Sequence, residues 1–116
     1  MVRIRRISFT IAVAAVAALG SHSALSTAAG TRTISVRDDY FSARKVTVSK
    51  NTLVTWRWSS SNSRPHDVVS RGAKRFTSSK IKDSGTHRYR FKKAGTYKYV
   101  CTLHEDRGMT GQIVVR

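Results

Sequence analysis

The sequence predicts an all-β domain, a β-sandwich or Greek-key barrel, preceded by a secretory signal. Two observations predict the fold class: apolar and polar residues alternate in short runs after residue 29, and turn-forming residues separate these runs roughly every 8–12 residues. No stretch of this part has helical period. The chain has 116 residues, 40% of them apolar, which is enough for one core but not for two. These values exclude a disordered basic tail and a multidomain enzyme.

Residues 1–28 are predicted to be a secretory signal peptide. Residues 1–6 carry three arginines and no acid, residues 7–19 are almost purely apolar, and small residues follow. An uncleaved membrane anchor is the alternative, but the apolar run has only 13 residues, whereas a helix needs about 20 to span a bilayer. We therefore expect cleavage near 28/29, a mature domain of residues 29–116, and export to the periplasm or the extracellular space.

Short strands are expected to follow one another along the mature domain. The alternation predicts strands at residues 33–36, 45–48, 53–58, 65–69, 87–91, 96–101 and 112–115. Lys50 and Asn51 indicate a turn before the third of these strands, and residues 92–95 indicate another. Within the strand at 87–91, Tyr89 and Phe91 are two positions apart and are expected to face inward.

The chain is strongly basic. It holds 22 Lys and Arg against 6 Asp and Glu, with a formal charge of +16, and loss of the three signal arginines would leave about +13. Such a field attracts acidic proteins, anionic lipid or nucleic acid. Because export is expected and the basic residues are spread along the chain, we expect no nucleic-acid partner. Two alternatives stay open: the domain associates loosely with an anionic membrane or envelope, or its positive charge serves only to keep it soluble.

Four residues could form a mononuclear metal site. Cys101, His104 and Met109 stand in a C-x2-H-x4-M pattern after a predicted strand, and His66 lies far enough upstream that only tertiary pairing could bring it in. Two imidazoles, a thiolate and a thioether suit the trigonal site with a weak axial ligand that holds copper, whereas zinc prefers four short bonds. His87 has no thiol or second imidazole at ligand spacing, so we expect it to be structural or exposed. The single cysteine excludes an internal disulfide.

Five segments carry a resemblance to a known family: VTV at 46–48, VTW at 54–56, PHDVV at 65–69, AGTYKYVCTLH at 94–104 and GMTGQIVV at 108–115. With these segments the chain resembles the cupredoxins, the small blue copper proteins, and their plastocyanin-like branch most closely. The resemblance implies a Greek-key β-sandwich with one type 1 copper at one end. It also implies that the copper ligands are His66, Cys101, His104 and Met109. Asp67 departs from the family pattern, in which an Asn usually braces the two ligand loops.

The resemblance implies a mobile one-electron carrier that cycles between Cu(I) and Cu(II). We expect a monomer that meets a redox protein, and the positive charge predicts that this partner is acidic, for example a cytochrome or an oxidase domain. We expect no enzymatic activity, because four protein ligands leave no metal position open to a substrate. Two alternatives stay open: a protein that holds or delivers copper, and a basic surface-binding module on a cupredoxin scaffold.

Overall fold

Eight strands make up the domain. The structure is a computed structural model that describes residues 30–116. The strands are β1 Thr31–Arg37, β2 Tyr40–Phe41, β3 Lys45–Val48, β4 Thr52–Trp58, β5 Val69–Arg71, β6 Thr86–Phe91, β7 Gly95–Val100 and β8 Thr110–Val115. A short 3₁₀ turn spans Glu105–Arg107. The all-β prediction is confirmed, and the predicted signal peptide lies outside the described residues.

The strands form two four-stranded sheets, ordered β2-β1-β4-β6 and β3-β8-β7-β5. Two pairs are parallel, β1 with β4 and β3 with β8, and the other pairs are antiparallel. Because successive side chains point to opposite faces of a strand, each sheet turns one apolar face toward the other. In β8, for example, Gly111, Ile113 and Val115 are buried and the residues between them are not. No helix within residues 30–116 is long and apolar enough to cross a membrane.

An aromatic cluster fills the space between the sheets. Trp56 is fully buried and stacks on Phe76, with ring centroids 5.3 Å apart. Phe91, on the neighbouring strand β6, and Tyr99, on β7 of the opposite sheet, meet the Trp56 ring edge-on. Phe91 faces inward as predicted, and Tyr89 packs against it from the border of the core. Phe76 lies in the long connection between β5 and β6, so this connection contributes to the core although it forms no strand.

The predicted strand at 65–69 differs from the observed structure. Regular pairing begins only at Val69, where β5 joins β7. His66 instead forms an isolated bridge with Lys82, in which each residue's N–H donates to the other's carbonyl, at 3.0 and 2.9 Å. Pro65 has no N–H to donate to a neighbouring strand, which limits pairing on this side.

Strand directions give the sandwich two different ends. β1, β4 and β7 run toward one end, while β6 and β8 run away from it. The first end holds His66, Cys101 and the 3₁₀ turn, and is termed the site end. At the far end β6 turns into β7, and the described chain enters the domain there, where the N–H of Leu53 donates to the carbonyl of Gly30 at 2.9 Å.

Candidate metal centre

Three buried side chains converge at the site end. The Nδ1 atoms of His66 and His104 are 3.1 Å apart, and the Sγ of Cys101 lies 3.8 Å from the first and 3.6 Å from the second. His66 and Cys101 expose no surface, and His104 is 8% exposed. The structure thus brings together three of the four residues predicted as ligands, and it does so through atoms that can bind a metal.

These three atoms fit a single metal ion. The point in their plane that is equally distant from all three lies about 2 Å from each, close to the roughly 2.0–2.3 Å at which protein nitrogen and sulfur atoms bind a first-row metal. Two imidazole nitrogens and a sulfur that face one another away from solvent also need a proton or a cation to offset their lone-pair repulsion. One thiolate with two imidazoles in a trigonal arrangement is the set that suits copper.

Met109, the fourth predicted residue, is fully buried at the end of the same loop. Its N–H donates to the carbonyl of His104 at 3.2 Å, and its carbonyl accepts the N–H of Cys101 at 2.9 Å. The main chain from Cys101 to Met109 therefore closes on itself, and this closure holds the thioether-bearing residue next to two of the converging side chains.

Gly108 makes the closure of this loop possible. It follows the 3₁₀ turn Glu105–Arg107 with φ of 79°, a left-handed conformation that glycine adopts without steric cost. Its N–H donates to the carbonyl of Glu105, and its own carbonyl accepts a bond from the guanidinium of Arg44, both at 3.0 Å. The turn thus reverses the chain between His104 and Met109 and is anchored to the segment before β3.

His66 is fixed through its main chain and through its ring. Its carbonyl accepts the indole N–H of Trp58 at 3.1 Å, in addition to the bridge with Lys82. On the ring, Nε2 lies 2.8 Å from Oδ1 of Asp38. We assign the ring proton to Nε2, because an ionised carboxylate can only accept. Nδ1 then presents its free lone pair to Cys101 and His104, which is the tautomer that metal binding requires.

Asp38 belongs to a small network that the sequence did not reveal. Its second oxygen accepts the N–H and the hydroxyl of Ser63, at 2.9 and 3.0 Å. The Ser63 N–H and the His66 ring hold the pKa of this carboxyl well below its usual range. The side chain therefore carries its negative charge at neutral pH. No spacing signal could have found it, because Asp38 is 28 residues from His66 and meets it only through the fold.

Asp67 braces the two loops that carry the ligands. Its carboxylate accepts the N–H of Thr102 at 2.7 Å and also the Thr102 hydroxyl, so the residue after His66 is tied to the residue after Cys101. This is the bracing role that the resemblance assigns to Asn. Asp67 thus departs from the family pattern in chemistry but not in position.

The environment of the Cys101 sulfur favours a bound cation. Burial raises the pKa of the Cys101 thiol, and this effect is only partly opposed by the N–H groups of Asp67 and Leu103. The thiol therefore holds its proton when no cation is near. Cys101 would bind a metal ion as the thiolate, without this proton, because a soft cation next to sulfur would offset the cost of burying a negative charge.

His87 is not brought to this centre. Its ring lies 5.8 Å from the ring of Trp56, and its Nε2 is 2.7 Å from the carbonyl of Thr77. The half-buried ring thus ties β6 to the connection before it, in agreement with the expectation of a structural role.

Two facing sheets with a buried thiol and two imidazoles at one end define a mononuclear copper protein of the β-sandwich class. The cupredoxin-like domain family matches residues 10–115, and the chain belongs to this family. The cofactor is accordingly one copper ion of type 1, at a site of the kind found in copper electron carriers. No curated protein matches the chain significantly in sequence.

Solved cupredoxin structures are similar to the domain. A purple cupredoxin from Nitrosopumilus maritimus has a TM-score of 0.63 at 20% identity, with 73% of this chain and 99% of that chain covered. The reduced state of an amicyanin variant has a TM-score of 0.61 at 26% identity, with 75% and 83% covered. The oxidised plastocyanin of Dryopteris crassirhizoma has a TM-score of 0.61 at 18% identity, with 72% and 99% covered.

Replacing Asp38 by Asn tests the carboxylate beside His66. The Asn oxygen can still accept the Nε2 proton, while its amide nitrogen cannot accept the N–H of Ser63. The bond that orients the His66 ring is therefore kept, and we expect colour and copper affinity close to those of the native protein. Loss of the negative charge disfavours Cu(II) relative to Cu(I), so the reduction potential should rise. Asp38→Ala removes the hydrogen bond as well, and copper affinity should fall by about 10–100-fold.

Asp83→Asn is the matched control, because it removes an exposed carboxylate that forms no ion pair among residues 30–116. Potentials are to be measured by redox titration of the copper-loaded variants. A potential in Asp38→Asn that moves no further than in the control would contradict the assigned role.

Proposed function

We propose that this chain is an exported, mobile one-electron carrier whose copper is held by His66, Cys101, His104 and Met109. The observation that carries the proposal is the buried convergence of the Cys101 sulfur with two imidazole Nδ1 atoms. When bound there, copper supplies reversible exchange of one electron between Cu(I) and Cu(II). The chain's own residues hold the ligand atoms in place, exclude water and provide the surface that meets a partner.

The rigidity of the site suits electron exchange. His66 is held through its carbonyl and through its ring, and Cys101 and Met109 are joined by main-chain hydrogen bonds. Ligand atoms that are fixed before the metal arrives have little freedom to rearrange when its charge changes. A delivery protein needs a site from which the metal can leave. Here three of the four residues have no exposed surface, so the site is shielded from solvent.

The route to the surface passes through His104, which is the only one of the four residues with any exposed surface. The large apolar side chains that are exposed within residues 30–116 are Tyr40, Ile81 and Leu103, and all three lie at the site end. Exposed apolar side chains at the same end as a slightly exposed ligand offer a surface on which a redox protein could dock briefly. The same burial leaves no open metal position for a substrate, so we propose that the chain is not itself an enzyme.

The redox partner is proposed to be acidic, and rate measurements test this. We expect electron exchange to be faster with an acidic than with a basic redox protein of matched potential, because a net charge near +13 attracts the former at long range. The difference should shrink as salt is raised, since charges beyond about 8 Å are screened at 0.15 M. Stopped-flow mixing with both proteins over a range of ionic strength measures it.

Two results of these measurements would contradict the proposal. Equal rates with both proteins at every ionic strength would remove the argument for an acidic partner. Transfer of copper to an apo-acceptor, without any redox cycling, would favour the copper-delivery alternative instead.

Export rests on the sequence of the first 28 residues and is tested by N-terminal sequencing. We expect protein recovered from the periplasm or the medium to begin between Ser26 and Thr31, because small residues suited to signal peptidase lie there. Exported material that retains Met1 would contradict the predicted cleavage, and protein found only in the cytoplasm would contradict export.

A further inference from the structure

The charges of the domain are sorted between its two ends. All six carboxylate side chains lie in the half that holds the metal centre: Asp38, Asp39, Asp67, Asp83, Glu105 and Asp106. The ion pairs between arginine and carboxylate are also found there, joining Arg64 and Arg107 to Asp39, and Arg71 to Glu105. The site end therefore carries charges of both signs that partly compensate one another.

The far end is basic and has no carboxylate side chain. Six exposed Lys and Arg side chains gather there, termed the basic pole: Lys50, Lys74, Arg75, Arg90, Lys92 and Lys93. Four of them, Arg75, Arg90, Lys92 and Lys93, line a cleft of about 450 Å³. None of the six takes part in an ion pair within residues 30–116. Their charges repel one another, and no carboxylate side chain within residues 30–116 offsets them.

The basic pole is too far from the metal centre to be the surface of electron exchange. β7 leads from Gly95 at the far end to Cys101 at the site end, and six steps of an extended strand span about 20 Å. A partner whose contact is confined to the pole does not touch His104. The pole therefore serves a contact other than the redox encounter.

The chemistry of the pole favours a surface of phosphate groups. The tyrosine rings of the cleft are not free to stack on bases, because Tyr97 is 7% exposed and Tyr89 packs against Phe76 and Phe91. The exposed large apolar side chains all lie at the site end, so the pole also lacks the apolar centre of a protein interface. What remains is a cluster of long cationic side chains at the tip of a rigid sandwich.

We propose that the basic pole binds an anionic phospholipid surface and holds the domain with its metal centre facing away from the membrane. Each Lys or Arg close to an anionic surface raises the binding constant about fivefold, and the attraction falls off within a Debye length. Six such side chains give firm but salt-sensitive binding. The inference does not depend on which metal the centre holds.

Sedimentation with vesicles tests the binding. The exported protein, from which residues 1–28 are expected to be absent, is mixed with vesicles of three parts phosphatidylcholine to one part phosphatidylglycerol, and with vesicles of phosphatidylcholine alone. We expect binding to the anionic vesicles only, reversed by salt. The triple variant Arg90→Gln, Lys92→Gln, Lys93→Gln should bind about 100-fold more weakly, as three lost charges predict.

A matched control removes the same charge elsewhere. Lys45, Arg57 and Lys98 are exposed on the outer faces of β3, β4 and β7, away from the basic pole. Their triple replacement by Gln should lower binding far less than the pole variant does. Equal losses in both variants would show a response to net charge alone and would overturn the proposal. Equal, salt-insensitive binding to both kinds of vesicle would show insertion of an apolar segment and would also overturn it.

Two further measurements address the orientation and the rival ligand. On anionic vesicles, amide hydrogen exchange should slow at residues 50–51 and 92–95 and stay unchanged at residues 103–107. Protection at 103–107 would place the site end on the membrane and contradict the proposal. Tighter binding of a single-stranded oligonucleotide than of anionic vesicles at the same salt, lost in the pole variant, would assign the pole to nucleic acid instead.

Discussion

Cys101→Ser is expected to abolish the intense visible absorption of the copper-loaded protein. The colour of a type 1 site depends on a short bond between Cu(II) and a thiolate, and Cys101 supplies the only thiol of the chain. A serine hydroxyl at the same place is a hard, protonated ligand that gives no such band. Because the side chain is buried and similar in size, the fold should persist, which circular dichroism can verify.

Met109→Leu is the matched control for this variant. The introduced leucine keeps an apolar side chain of similar volume in the same fully buried position. Only the thioether is lost, and it would be a weak ligand of a bound copper ion, so the colour should remain while the reduction potential rises. An intense blue colour in Cys101→Ser, or its loss in Met109→Leu alone, would contradict the assigned roles of the two sulfur atoms.

His66→Ala is expected to weaken copper binding by more than about 100-fold. Loss of a residue that only supports a ligand lowers metal affinity by up to about 100-fold, and loss of a ligand itself should lower it further. The substitution removes one of the two nitrogen ligands and leaves a space the size of an imidazole between Cys101 and Asp38. Added imidazole should enter that space and restore both affinity and colour, because a ring nitrogen of free imidazole can take the place of the missing Nδ1.

Copper titration followed by visible absorption, with and without imidazole, measures this effect. His87→Ala is the control, since His87 lies outside the centre and bonds to the carbonyl of Thr77. It should bind copper as the native protein does. If His66→Ala kept native affinity without imidazole, His66 would not be a ligand.

The local part of the site could be predicted from the sequence, and the tertiary part only in outline. Cys101, His104 and Met109 are close in the chain, so a loop that follows a strand must place them near one another. His66 could be proposed only because its chemistry completed the set. The hydrogen bond from Asp38 could not be predicted, because it depends on the packing of the β1–β2 turn against the connection before β5.

The fold class followed from alternation, but two features of the connections did not. Phe76 enters the core from a connection with no periodic pattern. From the sequence alone, this connection could not be distinguished from an exposed surface loop. At 65–69 the sequence alternates weakly, and Pro65 and the bridge to Lys82 replace regular pairing. Periodicity detects strands that pair along their length and gives little information on single bridges.

The separation of charge was also hidden in the sequence. Basic residues are spread along the chain, and no segment of the sequence concentrates them. Strand directions then sort them, because the turn at Lys50 and the connection from β6 to β7, which holds Lys92 and Lys93, meet at the far end, while the acidic turns meet at the site end. The positions of the charged residues in the sequence therefore did not predict their distribution on the surface of the fold.

A spectroelectrochemical titration of the copper-loaded protein tests the central claim most directly. The protein is reduced and reoxidised in steps while visible absorption and the number of electrons taken up are recorded. We expect an intense band that bleaches with one electron per copper and returns fully on reoxidation, because the buried ligand atoms of His66, Cys101 and His104 are held in place by the fold. A colourless Cu(II) complex, or a band that is lost irreversibly on the first reduction, would contradict the assignment of this domain as a one-electron carrier.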